Sequence, residues 1–570
     1  MKQFKTIILS MLLAVVAFSS CEKMLYVESD RYLYAENNRL DSPNDSVYSL
    51  VGILNKFQLL GDQYVLLGEL RAELMDVTHN ATQDLIELNN LDYSNPENPY
   101  LNLSNYYAVI NHCNYLIQTM DTSIVVQGEQ RLLREVAAAK AIRAWTYLQM
   151  ALNFNGAYYY EQPILTVAES QAIASDKATY FKDKDAILQL LVEDLLPVLN
   201  VPMPTYSVAV YNATKYLPSI PYLLGEIYLW QNRYQEAADM YYLDIVNNKR
   251  LVTNANSCTL EDPGQSVVIE EAYSNSFVNG YLVTGAWYFA KDASAVIPYY
   301  TDNKFGRFNV SKMNRYTYTD YCVAPSAYAF DWFKSQPYLH QGENLQGEPV
   351  NIASTGDLRG HPNSMCYTRM NLNNLEGLTQ EEIKMYEQIQ LYKEPIGTLY
   401  ITESDIVYQH TALAYLRYAE AINRAGKPSV ALAVINNGLN QRTLNDSLII
   451  RPADLDTVFS AKWSDVAFMD NVGTRTRGQG PSTRVNFFFE TENPTEEDYI
   501  LFVEQVLVDE CGLESAFHGN RFHDLLRFTQ HDGAPNYIGN ALAKKHPERA
   551  AEFQAKGKDD WYIPYPTTQD

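Results

Sequence analysis

The chain has 570 residues, 46% of them hydrophobic, which is a globular composition rather than a disordered one. Length alone allows three or four domains. Its 44 basic and 68 acidic residues give a net charge of -24, which argues against nucleic acid as a partner and repels an anionic membrane surface.

The N-terminus carries Lys2 and Lys5, an apolar run from Ile7 to Phe18, and then Ser19-Ser20-Cys21. This is a targeting signal, and it is short of the roughly 20 apolar residues of a membrane-spanning helix. Small residues leading into a cysteine form the lipobox pattern of bacterial lipoproteins, with Phe18 standing where Leu is usual. The expectation is a cleaved signal peptide over residues 1–20 and lipid on Cys21, with membrane contact through that lipid anchor only. Cleavage removes two lysines, leaving 42 basic against 68 acidic residues. Five cysteines follow Cys21 with no CxxC spacing, and an odd, sparse set argues against a disulfide framework.

Residues 21–45 are polar and read as an extended segment. Helical periodicity begins at 47–60, returns at 104–120, and is strongest over 129–154. There Leu132, Val136, Ala139, Ile142, Trp145, Leu148 and Leu152 recur every three or four positions, and Asn155-Gly156 supplies a C-cap. Residues 217–245 contain Leu224-Gly225-x-x-Tyr228 and Asn232-x-Tyr234-x-x-Ala237-x-x-x-Tyr241. That is tetratricopeptide spacing, with small residues where paired helices touch. The spacing recurs at Ala419 and Ala431, with Gly426 in the turn. A helix hairpin cannot bury both faces alone, so hairpins stack. Residues 253–375 and about 445–495 lack this period and read as long loops with short strands, the kind of insertion that usually carries function.

The predicted fold is therefore mainly α: a tetratricopeptide-like helical hairpin scaffold with a large irregular, loop-rich half. One domain spans 46–570. Its repeats lie at about 46–250 and 405–445, its loop-rich insertions at about 253–400 and 445–495, and a C-terminal region at 496–570.

No Walker loop, GxSxG or HExxH motif is present. The nine histidines are scattered, and the nearest pair, His518 and His523, is poorly spaced for one helical face. No metal, cofactor or catalytic residue is expected, and the chain reads as a binding protein. Tyrosine is abundant, at 44 against 21 Phe and 6 Trp, and offers a flat apolar face with a hydroxyl.

Several segments together resemble the SusD/RagB family of nutrient-binding outer-membrane lipoproteins. They are the lipobox, Arg143-Ala144-Trp145 with Asn155-Gly156, the two repeat segments, Asp357-Leu358-Arg359, and Tyr562-Ile563-Pro564-Tyr565-Pro566. The most specific stretch runs from Asp509 to Arg527, where Glu514, Phe517, Gly519, Arg521, Asp524, Leu525 and Arg527 match the family signature and His518 replaces a usual Glu. Read as residues alone, Glu514, Arg521, Asp524 and Arg527 form a buried or half-buried ion network that fixes a corner. The resemblance implies a non-catalytic surface protein that captures an oligosaccharide and delivers it to a SusC-type TonB-dependent transporter. It also implies an outer-membrane location facing the cell exterior.

Sugar recognition needs aromatic faces together with amide, carboxylate and guanidinium groups. Glu69 to Asp76 resembles a family stretch bordering the ligand site. The candidate ligand residues are therefore Arg71, Asp76, Asn80, Trp287, Tyr299, Tyr300, Trp332 and Arg359. A structural salt bridge is the plainer role for Arg71 and Arg359, and core packing for the aromatics. The alternative reading is the same scaffold binding peptides, in which case the acidic charge favours basic ones. A surface enzyme or a structural assembly lipoprotein is the second alternative.

Overall fold

The computed structural model describes residues 43–77, 81–125, 128–205, 207–208, 211–212, 216–248, 251–252, 287–288, 323–343, 346–357, 407–479 and 483–566. The structure is mainly helical. Its principal helices are α1 (Pro43–Phe57), α2 (Gly61–Glu69), α3 (Ser104–Thr119), α4 (Arg131–Phe154), α5 (Ile220–Trp230), α6 (Tyr234–Asn247), α7 (Ala327–Ser335), α8 (Thr411–Arg424), α9 (Pro428–Asn436), α10 (Glu496–Ser515), α11 (Arg521–Gln530) and α12 (Tyr537–Lys545). A continuous buried core extends from Leu50 in α1 to Ile563 near the C-terminus.

The strongest periodic segment becomes the longest helix. From Glu135 onward α4 is buried almost all round, with Ala137, Ala138, Ala139 and Ala141 letting neighbouring helices approach. Asn155 ends it in the left-handed conformation at φ 55, and Gly156 follows. α3 and α1 pack on it.

The two repeat segments form two helix hairpins, α5–α6 and α8–α9, and α6 packs against α8. The small residue at 225 has a visible cause: a Cβ there would lie 2.8 Å from the Tyr241 ring. The Tyr241 hydroxyl then donates to Glu226 at 2.8 Å, so the aromatic that fills the gap is also hydrogen-bonded.

Among the described residues, strands are few and paired in twos. β1 (Met75–Val77) runs antiparallel to β2 (Val323–Pro325), with Asp76 opposite Ala324. A longer hairpin joins β3 (Pro337–Glu343) to β4 (Pro349–Thr355). The region read as loop also contains α7, so its described part is more ordered than its composition implies. The leader, Cys21 and the expected extended segment lie outside the described residues. Among the described residues, no helix is long and apolar enough to cross a membrane.

Candidate functional site

The β1–β2 ladder brings the front of the chain against α7. Ser326 secures the junction: its backbone N–H donates to the Leu74 carbonyl at 2.8 Å and its hydroxyl to the Glu73 carbonyl at 2.5 Å. The same hydroxyl accepts the Ala329 N–H at 3.0 Å, capping α7. Along α7, Ala329 and Phe333 are buried. Tyr328 and Trp332, four residues apart, share the other side and are half-buried. Their rings stack nearly parallel, 6.1 Å between centroids at 17°.

α12 closes one side of this face. Lys544 donates from Nζ to the Tyr328 hydroxyl at 3.0 Å, with its ammonium 5.0 Å from the ring centroid. Lys545 donates to the carbonyls of Leu70 and Ala72 at 2.9 and 3.1 Å, and burial lowers its pKa to about 8 against the pull of Asp76 and Glu73. Asp76 is half-buried and accepts the Val77 N–H at 2.8 Å. Beneath the aromatic pair, the Arg521 guanidinium lies 5.8 Å from the Trp332 ring, and Gly512 leaves room for that ring's edge. The result is a stacked aromatic pair bordered by the Lys544 ammonium, with Asp76 on the adjoining strand β1. It can offer an apolar face and hydrogen bonds to one ligand.

Asp76 and Trp332, distant in sequence, are thus placed on adjoining elements. Arg71 is elsewhere in kind. It is fully buried, and it donates to the Tyr93 hydroxyl, Asn153 Oδ1 and the Trp561 carbonyl, each at 2.8 Å. Its guanidinium lies 3.7 Å from the Phe522 ring centroid. Its described hydrogen bonds go to neutral acceptors rather than to the carboxylate a salt bridge would supply, and burial lowers its pKa. A buried cation that ties α2, α4 and the C-terminal tail together serves the fold. Trp287 pairs in a short strand opposite Gln409, and Asp357 is buried. Asn80, Tyr299, Tyr300 and Arg359 lie outside the described residues. Tyr328 and Lys544 were not among the sequence candidates. Tyr328 had a signal, its four-residue spacing from Trp332; Lys544 had none.

The C-terminal signature forms the rigid support. The Glu69 carboxylate accepts four backbone N–H groups: Phe517 at 2.9 Å, Gly519 at 2.7 Å, Asn520 at 2.9 Å and Arg521 at 3.3 Å. This pins a strained turn in which Phe517 sits at φ 68, a rare conformation for a bulky residue. Arg521 donates to Glu73 at 2.9 and 2.6 Å. Arg527 makes a two-pronged pair with Glu420, both contacts 2.7 Å, while Arg417 bonds Asp524 and reaches Glu226 at 2.8 Å. Burial acts to raise the Glu420 carboxyl, but Arg527, His531 and Arg417 outweigh it and hold it below the usual range. Arg521, Asp524 and Arg527 form the expected ion network, with most partners from other parts of the chain, whereas Glu514 approaches His410 at 4.0 Å. Among the described residues, Asp524–Arg527, at 3.2 Å, is the ion pair internal to the signature.

No protein-family model and no curated protein matches the sequence. Solved structures do match. A SusD superfamily protein from Bacteroides vulgatus is 15% identical, with 92% of this chain and 96% of that one covered at a TM-score of 0.55. A SusD homolog from Bacteroides thetaiotaomicron is 13% identical, with 95% of each chain covered at 0.54. NanU of B. fragilis is 14% identical, with 90% and 94% covered at 0.52. The fold of this chain is that of the SusD superfamily.

Proposed function

We propose that this chain, with its SusD-type fold, is a non-catalytic cell-surface lipoprotein. It captures an oligosaccharide and passes it to a SusC-type TonB-dependent transporter in the outer membrane. The observation that carries the reading is the stacked Tyr328–Trp332 pair beside Lys544, with Asp76 on the adjoining strand β1. A pyranose ring has an apolar face that lies on an aromatic ring, and a rim of hydroxyls that pair with charged and amide groups. The support beneath the platform is rigid, so little ordering accompanies binding.

The lipid on Cys21 would hold this face outside the membrane, and the acidic body would keep the protein clear of the anionic bilayer surface. The transporter would supply the path inward. The test is an oligosaccharide array and a matched peptide library, both probed with soluble protein lacking residues 1–21. Binding confined to glycans supports the reading, and binding confined to peptides replaces it with the peptide alternative.

A further inference from the structure

A small interior cavity forms where α4, α5 and the signature helix α11 meet the short strand Val407–Gln409. Its volume is about 30 Å³. The walls are fixed by contacts between distant segments. The Trp145 and Tyr408 rings meet edge-on, 5.7 Å between centroids, and the Tyr64 hydroxyl donates to Asn520 Oδ1 at 3.1 Å. Arg417 donates to Glu226 at 2.8 Å across the same wall.

Five polar atoms on the lining residues have no hydrogen-bond partner among the described residues. Three are acceptors: Gln149 Oε1, Gln409 Oε1 and Asp524 Oδ2. Two are donors: Trp230 Nε1 and the Asn520 amide nitrogen. Gln149, Gln409, Trp230 and Asp524 are only 7, 3, 5 and 1% exposed, so bulk solvent does not serve them. Neighbouring atoms of the same side chains are already committed. Asp524 Oδ1 accepts from Arg417 and Arg527, and Asn520 Oδ1 accepts from Tyr64. Four buried, unpartnered side chains at one cavity are costly to the fold unless a ligand completes them.

We infer that the cavity is a binding site for a hydrogen-bonded pair of water molecules. A buried water needs roughly 10–15 Å³ of such space, so the volume suits two. Two waters joined by one hydrogen bond keep three hydrogens and three lone pairs for the protein. The hydrogens meet the three acceptors, and two lone pairs take the two N–H donors. Each water then makes roughly three or four hydrogen bonds, as buried waters do. An ion fits less well. Glu226 and Asp524 are offset by Arg417 and Arg527 on the same lining, so the site carries no net charge. The Trp230 N–H can only donate, which opposes a cation, and the Asp524 carboxylate opposes an anion. An apolar occupant leaves all five atoms unpaired. The pair links Gln149 of α4, Trp230 of α5 and Gln409 to Asp524 of α11, completing the support that the ion network begins. The inference does not rest on the glycan reading.

The test is diffraction from crystals of the chain lacking residues 1–21, at a resolution that shows ordered water. Two peaks are expected in the cavity, roughly 2.7–3.2 Å from each other and from the five atoms. An empty cavity or a single peak overturns the inference. So does a peak ringed by oxygens at about 2.3–2.6 Å, the mark of a calcium ion. Gln149→Met keeps the length of the side chain and removes one acceptor. In its crystals the peak beside residue 149 should vanish or lose about half its occupancy or more, since that water loses one of roughly three partners. Two unchanged peaks overturn the inference. Gln409→Met makes the same comparison from the opposite wall if the first variant does not fold, and the parental crystals decide the question without either variant.

Discussion

Glu69 and Gly519 are 450 positions apart, yet the Glu69 carboxylate accepts the Gly519 N–H at 2.7 Å. The same carboxylate holds Phe517, Asn520 and Arg521, so one side chain at the end of α2 organises the turn into α11. Glu69→Gln keeps a similar shape but removes the charge and one acceptor oxygen. It should lower the unfolding free energy by about 3 kcal/mol or more, because buried N–H groups lose a charged partner. Urea denaturation at neutral pH checks this. A loss below about 0.5 kcal/mol would mean the turn is held by packing alone.

Two glycines early in the chain should respond in opposite ways to alanine. At Gly68 a Cβ would sit 1.8 Å from the Gly519 carbonyl oxygen, so α2 and the turn would have to separate. Gly68→Ala should destabilise by about 3 kcal/mol. Gly52 in α1 is exposed with nothing within 4 Å of an added Cβ. Gly52→Ala should stabilise by about 0.5–1 kcal/mol through helix propensity. Thermal melts of the two variants give the comparison directly.

Local periodicity made the helices legible. The 129–154 segment became α4 with its Asn155 cap, and the spacing of Gly225, Ala237, Ala419 and Ala431 located both hairpins. Partnerships between distant segments were not legible. Glu514, Arg521, Asp524 and Arg527 announced an ion network, but nothing local shows that Arg521 meets Glu73 or that Arg527 meets Glu420. Arg71 showed the opposite problem. Its charge pointed to a salt bridge, while its described partners are a tyrosine, an asparagine, a carbonyl and a ring face. At the candidate site, Trp332 was visible as an aromatic but not as half of a stack, because its loop-like surroundings hid the turn of helix beneath it. Composition told against α7, and a single Ser326 cap with two buried positions sufficed to form it.

His523 makes stability depend on acidity. It is buried beside Asn153, at 3.1 Å, and burial followed by the nearby Arg71 charge lowers its pKa to about 3. The unfolded chain binds this proton near pH 6.5, while the folded chain resists it. The stability is therefore complete above about pH 6.5 and falls as pH drops toward 3, by up to about 1.4 kcal/mol per pH unit. His523→Gln should remove about one proton from the pH dependence of unfolding between roughly pH 6.5 and 4. An identical slope in both proteins would show that His523 titrates normally.

The proposed lipid attachment at Cys21 has a simple consequence. The full chain expressed in its host should sediment with membranes and release only in detergent, since several acyl chains anchor stably. Cys21→Ala should appear in the soluble fraction. Retention of that variant on membranes would place the anchor elsewhere.

Tyr328 gives the cleanest probe of ligand capture, because Trp332 also packs over Arg521 and Gly512. The most direct measurement is the affinity of the parental chain and of Tyr328→Ala for the oligosaccharide that binds the parental protein most tightly. The account predicts saturable binding by the parental chain, about a tenfold or greater loss in the variant, and no change in its melting curve. Absence of glycan binding by the parental chain, or equal affinity in the two proteins, would contradict it.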